Sequence, residues 1–188
     1  LREAVSQKNL FYPVDPSSMG SCWIGGNVAE NAGGARALKY GVTKDYVLNL
    51  EVVLPTGAII WTGANTLKNS TGYNLTQLMV GSEGTLGIVT KIVLKLIPKN
   101  THNVLLLVPF YKAEQACEAV SAIFRAGIVP SALEFMERDA IDWSVTYLDG
   151  ISVDVKPEHQ AHLLIEVDGN YPEILMQEAE KILEVVEQ

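Results

Sequence analysis

Two stretches of this sequence are rich in glycine and poor in bulky apolar side chains. The first glycine segment reads GGNVAENAGG from Gly25 to Gly34, and the second reads GSEGTLG from Gly81 to Gly87. Neither has the large apolar side chains of a good core helix or strand, so we expect two loops with bare backbone. Glycine leaves the main chain uncovered and permits positive φ, which lets another group approach the backbone closely.

The residues alone leave two interpretations of these segments open. Glycines can serve tight turns, and consecutive uncovered N–H groups can bind phosphate oxygens. A nucleotide loop of a standard kind is excluded, because neither segment continues into Gly-Lys-Ser/Thr and neither gives G-x-G-x-x-G between a strand and a helix. Beside the tight turn, the remaining interpretation is that an extended ligand approaches the backbone of these segments closely.

The overall charge restricts the class of partner. The formal charge is −8 and the isoelectric point is about 4.9, which argues against nucleic acid and anionic membranes, since both select for clustered Lys and Arg. Cys22 and Cys117 are too few and too far apart for a disulfide framework, so we expect a reducing, cytoplasmic setting. No apolar run is long enough to span a bilayer.

The first half of the chain predicts a β-rich unit. The pattern predicts an irregular stretch or short turn at 35–46, a hairpin of strands 47–54 and 58–63, a short helix at 73–79 and a strand at 87–98. Pro98, Lys99 and Asn100 mark a boundary. The second half predicts strands at 103–110, 128–136 and 161–169, which alternate with helices at 112–127, 137–148 and 171–188. This alternation indicates an open sheet covered by helices, of ferredoxin-like character.

Several long stretches of the sequence, taken in order, resemble one family. The stretches from Tyr12 to Gly57 and from Ser70 to Lys99, which contain GGNVAENAGG and GSEGTLG, resemble the FAD-binding domain of the vanillyl-alcohol-oxidase (PCMH) type. The resemblance is closer to the branch of the glycolate oxidase GlcD subunit, D-lactate dehydrogenase and D-2-hydroxyglutarate dehydrogenase. SALEFMERDAIDW (131–143) and LLIEVDG (163–169) resemble the start of that branch's substrate-side domain.

The resemblance implies an α+β fold with two domains. Residues 1–99 would be the second subdomain, the C-terminal half, of a PCMH-type FAD-binding domain. Residues 100–188 would be the start of a ferredoxin-like α+β substrate domain, the FAD-linked oxidase C-terminal domain. The family's first FAD subdomain and its His-Gly-Asp-Gly-Asn motif are not found in this sequence. We therefore expect an internal fragment that binds FAD weakly or not at all when isolated.

The resemblance also implies FAD as cofactor and three groups of residues that bind it. The flavin and the ribityl–diphosphate region would be lined by Ser17, Ser18, Met19, Gly20, Ser21, Cys22 and Trp23. Main-chain packing against the cofactor would come from Gly25, Gly26, Glu30, Asn31, Ala32, Gly33 and Gly34. The adenosine–diphosphate side and the edge of the flavin would be held by Glu83, Gly84, Thr85, Leu86, Gly87, Ile88 and Val89. Trp23 departs from the family, which usually has a small residue at this position. Its indole could stack on the cofactor or obstruct it, and both interpretations stay open.

The implied activity is the oxidation of a D-2-hydroxy acid, of the glycolate or D-lactate type, by hydride transfer to flavin N5. Two alternatives remain: a non-redox FAD enzyme of the alkylglycerone-phosphate-synthase type, and a non-catalytic binding or assembly module. A small-molecule substrate is expected, and a partner electron-transfer subunit, a homo-oligomer and membrane association through a partner stay open. No catalytic or metal-ligating residue is expected within this chain.

Four further residues, a pair of histidines and two single residues, allow two interpretations each. His159 and His162 form H-x-x-H, a spacing that suggests a metal, yet without a nearby Cys or acidic partner ordinary surface or strand-end histidines are favoured. Tyr73 can point toward the flavin or pack in the core. Arg36 can offset phosphate charge or form a surface ion pair.

Overall fold

Antiparallel sheets with helices packed on them organise both halves of the chain. The computed structural model describes residues 1–148, 150, 153 and 155–187. The chain divides into two units, Leu1–Lys99 and Asn100–Gln188, and each contains its own sheet and its own apolar cluster. The mixture of helix and sheet confirms the predicted α+β class.

The first unit is built on a three-stranded antiparallel sheet. Its elements are α1 (Arg2–Ser6), β1 (Leu10–Phe11), α2 (Ile24–Glu30), α3 (Ala37–Tyr40), a 3₁₀ turn (Thr43–Asp45), β2 (Val47–Val53), β3 (Ile59–Trp61), α4 (Leu75–Met79), β4 (Ile88–Leu94) and β5 (Ile97–Pro98). Strand β2 lies between β3 and β4, and β1 pairs with β5. The predicted hairpin is confirmed, because Val53 pairs with Ile59 across the turn.

The central strand carries the core of this unit. Leu50 and Val52 on β2 are completely buried, and they cluster with Val28 from α2 and Met79 from α4. Burying a side chain of this size stabilises a fold by about 1.5–3 kcal/mol relative to leaving it exposed. The core therefore holds α2 against the sheet through Val28, the helix's only fully buried side chain.

This arrangement corrects the prediction that the first glycine segment is a loop. Helix α2 runs from Ile24 through Gly25 and Gly26 to Glu30, and it ends where Asn31 takes the left-handed conformation at φ 52°. Glycine lowers helix propensity by about 1 kcal/mol per residue, but tertiary packing routinely overrides propensity. The burial of Val28 supplies that packing here.

Other boundaries in the first unit also differ from the sequence pattern. The stretch predicted as irregular contains α3 and the 3₁₀ turn. The strand predicted at 87–98 is two strands, because β4 ends at Leu94 and β5 pairs with β1 instead of β2. The helix predicted to start at Tyr73 starts at Leu75, since the Asn74 side chain caps it by accepting the Gln77 N–H at 3.0 Å.

The second unit is built on a three-stranded antiparallel sheet. Its elements are β6 (His102–Phe110), α5 (Ala113–Arg125), β7 (Ala132–Glu137), α6 (Arg138–Tyr147), β8 (Ala161–Gly169) and α7 (Pro172–Val186). The strand order is β6-β8-β7, and α5 and α7 pack on one face of the sheet. Ile123 of α5 and Ile182 of α7 are completely buried against Leu163 and Ile165 of β8. The predicted sheet-covering role of the last helix is confirmed, while its predicted end at Gln188 lies outside the described residues.

His162 is a buried histidine at the start of β8. Its side chain is 1% exposed, and neither ring nitrogen has a hydrogen-bond partner. The His159 ring lies 6.0 Å away, edge to face, and the Arg138 charge is close enough to act on it. Burial, followed by the charges of His159 and Arg138, lowers the pKa of His162 below its usual value of 6.5. It is therefore a strand-end histidine, as expected, but not a surface one.

The depressed pKa of His162 predicts an acid-sensitive fold. The unfolded chain takes up a proton below about pH 6.5 while the folded chain does not, so this contribution to stability is fully present above that pH and is lost as the pH falls. The slope from one such group cannot exceed about 1.4 kcal/mol per pH unit. We expect His162→Phe to flatten the free energy of unfolding between pH 7 and pH 5, measured by urea titration. A slope in His162→Phe equal to that of the wild type would contradict the assignment.

Candidate functional site

The two glycine segments, fifty residues apart in sequence, are neighbours in the first unit. The Gly81 N–H donates to the Val28 carbonyl at 2.9 Å, and the Glu83 N–H donates to the Ala29 carbonyl at 3.0 Å. These carbonyls belong to the last turn of α2, where intrahelical partners run out. The second glycine segment is thus attached to the end of the first by main-chain hydrogen bonds.

Asn31 connects a third stretch of chain to this junction. Its side-chain oxygen accepts the Lys44 N–H at 2.9 Å, and its left-handed backbone lets the Ala32 N–H donate to the Asn27 carbonyl. The neighbouring Ala32 carbonyl accepts both the Thr43 N–H at 3.0 Å and the Thr43 hydroxyl at 2.7 Å. The 3₁₀ turn is thereby fixed beside both glycine segments.

Some glycines of the site are required by the protein's own packing. A Cβ at Gly34 would lie 2.1 Å from the Asp15 carbonyl oxygen, and one at Gly87 would lie 2.6 Å from a Val52 methyl. At Gly33 the nearest atom would be a Val42 methyl at 3.1 Å. These positions satisfy the tight-turn interpretation, and main-chain contact with a cofactor at them stays a prediction.

Other glycines have nothing near them that would exclude a side chain. At Gly20, Gly25 and Gly26, a Cβ would meet no described atom within 4 Å. The space at Gly84 is equally open, but its φ of 76° itself favours glycine. Gly25 and Gly26 also cost helix stability, as described for α2. A bare, outward-facing backbone at such a cost fits an external group that approaches the main chain, which is the second interpretation of the sequence. These residues fit the diphosphate and flat ring of a flavin dinucleotide.

The serine-rich turn before α2 completes this surface. Residues 17–21 form turns in which the Ser21 and Cys22 N–H groups both donate to the Ser18 carbonyl at 2.8 Å. The Cys22 sulfur accepts from the Asn27 side chain at 3.5 Å. Ser17, Ser18 and Met19 are exposed, and Trp23 is 84% exposed. Nothing in the first unit covers the Trp23 indole, so it is available for stacking.

The remaining predicted residues lie at the entrance to β4. Both the N–H and the hydroxyl of Thr85 donate to the Ser82 carbonyl, at 2.9 and 2.6 Å. Leu86 is exposed, Ile88 is 62% exposed, and Val89 is half-buried in its pairing with Val52. Glu30 is exposed at the end of α2. The second and third predicted groups thus meet at the end of α2, and the first group directly precedes the start of that helix. Contact of the three groups with FAD stays a prediction.

Two of the open alternatives now have an answer. Tyr73 is 93% exposed, so the core-packing interpretation of this residue is wrong. The Arg36 guanidinium lies 3.8 Å from the Asp15 carboxylate and its main-chain N–H donates to the same group, which confirms the ion-pair interpretation. Sequence reasoning missed Asn31 as a connector, although an Asn directly after a helical stretch is a familiar left-handed cap.

Charge is distributed unevenly between the units. Residues 1–99 contain nine Lys or Arg and six Asp or Glu, whereas residues 100–188 contain five and sixteen. The basic excess lies in the unit that carries the glycine segments, where an anionic ligand would need it. Among the described residues, no three His, Cys, Asp or Glu side chains gather as metal ligands. No helix within the described part of the chain is long and apolar enough to cross a membrane.

Comparison with known proteins identifies two family models in this chain. The FAD binding domain matches residues 1–63, and the C-terminal domain of FAD linked oxidases matches residues 99–188. Two solved structures of alkyldihydroxyacetonephosphate synthase share the fold, with TM-scores of 0.78 and 0.81 at 20% identity; they align with 99% and 100% of this chain and with 35% and 36% of theirs.

Three curated relatives align along almost the whole chain. Glycolate oxidase subunit GlcD of Bacillus subtilis is 48% identical over 95% of this chain and 37% of its own length. D-lactate dehydrogenase of Anaerostipes hadrus is 43% identical over 99% and 40%, and mitochondrial D-2-hydroxyglutarate dehydrogenase of Bos taurus is 39% identical over 92% and 31%. The chain thus spans between 31% and 40% of the length of these relatives.

Some glycines pack against other atoms of the protein and others face open space. Substitution by alanine is expected to have opposite effects on stability at these two kinds of position. We expect Gly34→Ala to destabilise the chain by about 1–3 kcal/mol, because the new methyl group collides with the backbone of Asp15. Gly26→Ala is the matched control and should stabilise by about 0.5–1 kcal/mol, since it only raises helix propensity. Urea unfolding followed by circular dichroism measures both; a destabilised Gly26→Ala would show that the surface is not open.

Proposed function

This chain belongs to the family of FAD-linked oxidases, and on that basis we propose that it forms part of a FAD-dependent enzyme that oxidises a D-2-hydroxy acid. Glycolate and D-lactate are the proposed substrate types, supported by the names of the GlcD and D-lactate dehydrogenase relatives. Within the structure, one observation carries the proposal: Gly25 and Gly26 have bare backbone in a helix whose last turn accepts two main-chain hydrogen bonds from the second glycine segment.

The residues of this chain would bind and orient the cofactor. Uncovered amides near Gly25, Gly26 and Gly84 allow the diphosphate and the flat ring to approach the main chain. The exposed Trp23 indole offers an apolar surface for stacking. The basic excess of the first unit offsets the charge of the diphosphate. When bound, the flavin would supply the redox chemistry of the proposed oxidation.

A non-redox use of FAD is the second candidate. Its support is the shared fold with alkyldihydroxyacetonephosphate synthase, but a match at 20% identity carries information on fold alone. The curated relatives at 39–48% identity have the names of oxidases and dehydrogenases, so oxidation is the better-supported proposal. No observation favours a non-catalytic module.

The proposal extends to partners and location. A small-molecule hydroxy acid is the proposed ligand of the whole enzyme, and the word subunit in the name of the GlcD relative supports a partner protein. A partner electron-transfer subunit and a homo-oligomer are both compatible with this proposal. A cytoplasmic location, direct or with membrane association through a partner, is proposed from the cysteine content.

Flavin reduction in the full-length protein tests the reaction. We expect the purified protein to carry FAD with its band at about 450 nm, as flavins do. Anaerobic mixing with glycolate or D-lactate should bleach this band, and L-lactate is the stereochemical control. A FAD-loaded protein that no D-2-hydroxy acid bleaches would contradict the proposed reaction.

The open glycines give a second prediction at the cofactor site. Gly26→Ala in the full-length protein should weaken FAD binding on the order of tenfold, about 1.4 kcal/mol, because a methyl group covers the backbone that the cofactor approaches. The same change stabilises α2, so weaker binding cannot result from a less stable fold. Ser121→Ala, which also raises helix propensity at an exposed position of α5, serves as control and should leave the FAD dissociation constant unchanged. Equal FAD affinity of Gly26→Ala and wild type would show that α2 is not part of the cofactor site.

A further inference from the structure

Glu83 has a backbone conformation that glycine would adopt more easily. Its φ is 51°, and it lies in the second glycine segment near Gly81 and Gly84, whose φ values are 80° and 76°. Only a few per cent of non-glycine residues have positive φ, because Cβ crowds the carbonyl oxygen there. The Glu83 N–H is held by the Ala29 carbonyl, so the main chain is fixed whichever residue occupies the position.

At this φ, the side chain of Glu83 carries a conformational cost that glycine would avoid. Residues in sparsely populated conformations cluster at ligand clamps and active sites, where the surrounding structure enforces them. Glu83 is one of three such non-glycine residues within the described chain, together with Asn9 and Asn31. Asparagine tolerates this region through its short polar side chain, whereas glutamate has no such advantage.

The Glu83 carboxylate is available for a ligand. The residue is exposed, and among the described residues its side chain has neither a hydrogen bond nor an ion pair. Its main-chain bond to Ala29 places it at the end of α2, in the helix whose Gly25 and Gly26 have bare backbone. An acidic side chain thus lies at the junction of the two glycine segments.

The charge of this group limits what it can bind. A carboxylate accepts hydrogen bonds and repels phosphate, so the diphosphate of the cofactor is a poor partner for it. Flavin dinucleotides also carry hydroxyl groups, on the ribityl chain and on the adenosine ribose, and hydroxyl donors to a carboxylate form short, strong hydrogen bonds. Acidic side chains bind ribose hydroxyls in this way in other dinucleotide sites.

We propose that the Glu83 carboxylate binds sugar hydroxyls of FAD. This role rests on the proposed function, and it adds a side-chain contact to a segment otherwise expected to act through its main chain. Glu83 is thereby a positioning residue: it would fix the polyol part of the cofactor, while the amides of the glycine segments receive the diphosphate.

Variants of the full-length protein separate strain from binding. Glu83→Gly should raise the thermal midpoint of the FAD-free protein, because it relieves the left-handed backbone, and should weaken FAD on the order of tenfold by removing the acceptor. Glu83→Gln keeps the strain and a carbonyl acceptor, so its affinity should lie between those of wild type and Glu83→Gly. A purely structural residue would give the opposite result for glycine, with binding as tight as wild type or tighter.

Two smaller ligands identify the hydroxyls involved. FMN contains the ribityl chain without adenosine, and ADP contains the adenosine ribose without the flavin. Loss of ADP affinity in Glu83→Gly with FMN unchanged assigns the contact to the ribose, and the reverse assigns it to the ribityl chain. Asn9→Gly relieves similar strain at φ 56° outside the glycine segments; it should raise the thermal midpoint and leave all three affinities unchanged.

The outcomes also distinguish this inference from the proposed function. If the wild-type protein binds no FAD, the proposed function itself is contradicted. A wild-type protein that binds FAD, with Glu83→Gly binding it equally well or better, overturns the role of Glu83 alone.

Discussion

Two main-chain hydrogen bonds, from Gly81 to Val28 and from Glu83 to Ala29, unite the parts of the candidate site. They satisfy carbonyl groups at the end of α2 and fix the direction in which the second glycine segment leaves α4. Val28 itself is buried against β2, so the sheet, the helix and the segment share one anchor. The remaining geometry, including the Asn31 connection to Lys44, is arranged around this junction.

The alternation of apolar residues was enough to predict most of the strands and helices. The hairpin of β2 and β3 and the alternating elements of the second unit all follow from local periodicity and turn residues. Helix α2 could not be predicted in this way, because its stability depends on burial of Val28 in a core formed by distant strands. The break between β4 and β5 likewise depends on pairing with β1, almost ninety residues earlier.

The residues of the candidate site could be predicted from the sequence, but the role of each residue could not. The first glycine segment, GGNVAENAGG, contains glycines of two kinds. Gly34 has no side chain because Asp15 occupies the space, whereas Gly26 faces an open surface. Sequence cannot separate them, since the distinction lies in which atoms fold back against each position. The same holds for Glu83, whose unusual backbone is visible only in three dimensions.

The single buried side chain of α2 has a consequence for motion. We expect a seven-residue helix held by Val28 and a few main-chain hydrogen bonds to open at a lower free energy than the central strand β2. A ligand lying across Gly25 and Gly26 would bind only the closed helix and so slow amide hydrogen exchange there. Helix α2 is thus expected to be a local unfolding unit, and the amide exchange of Gly25 and Gly26 would report whether a ligand covers it.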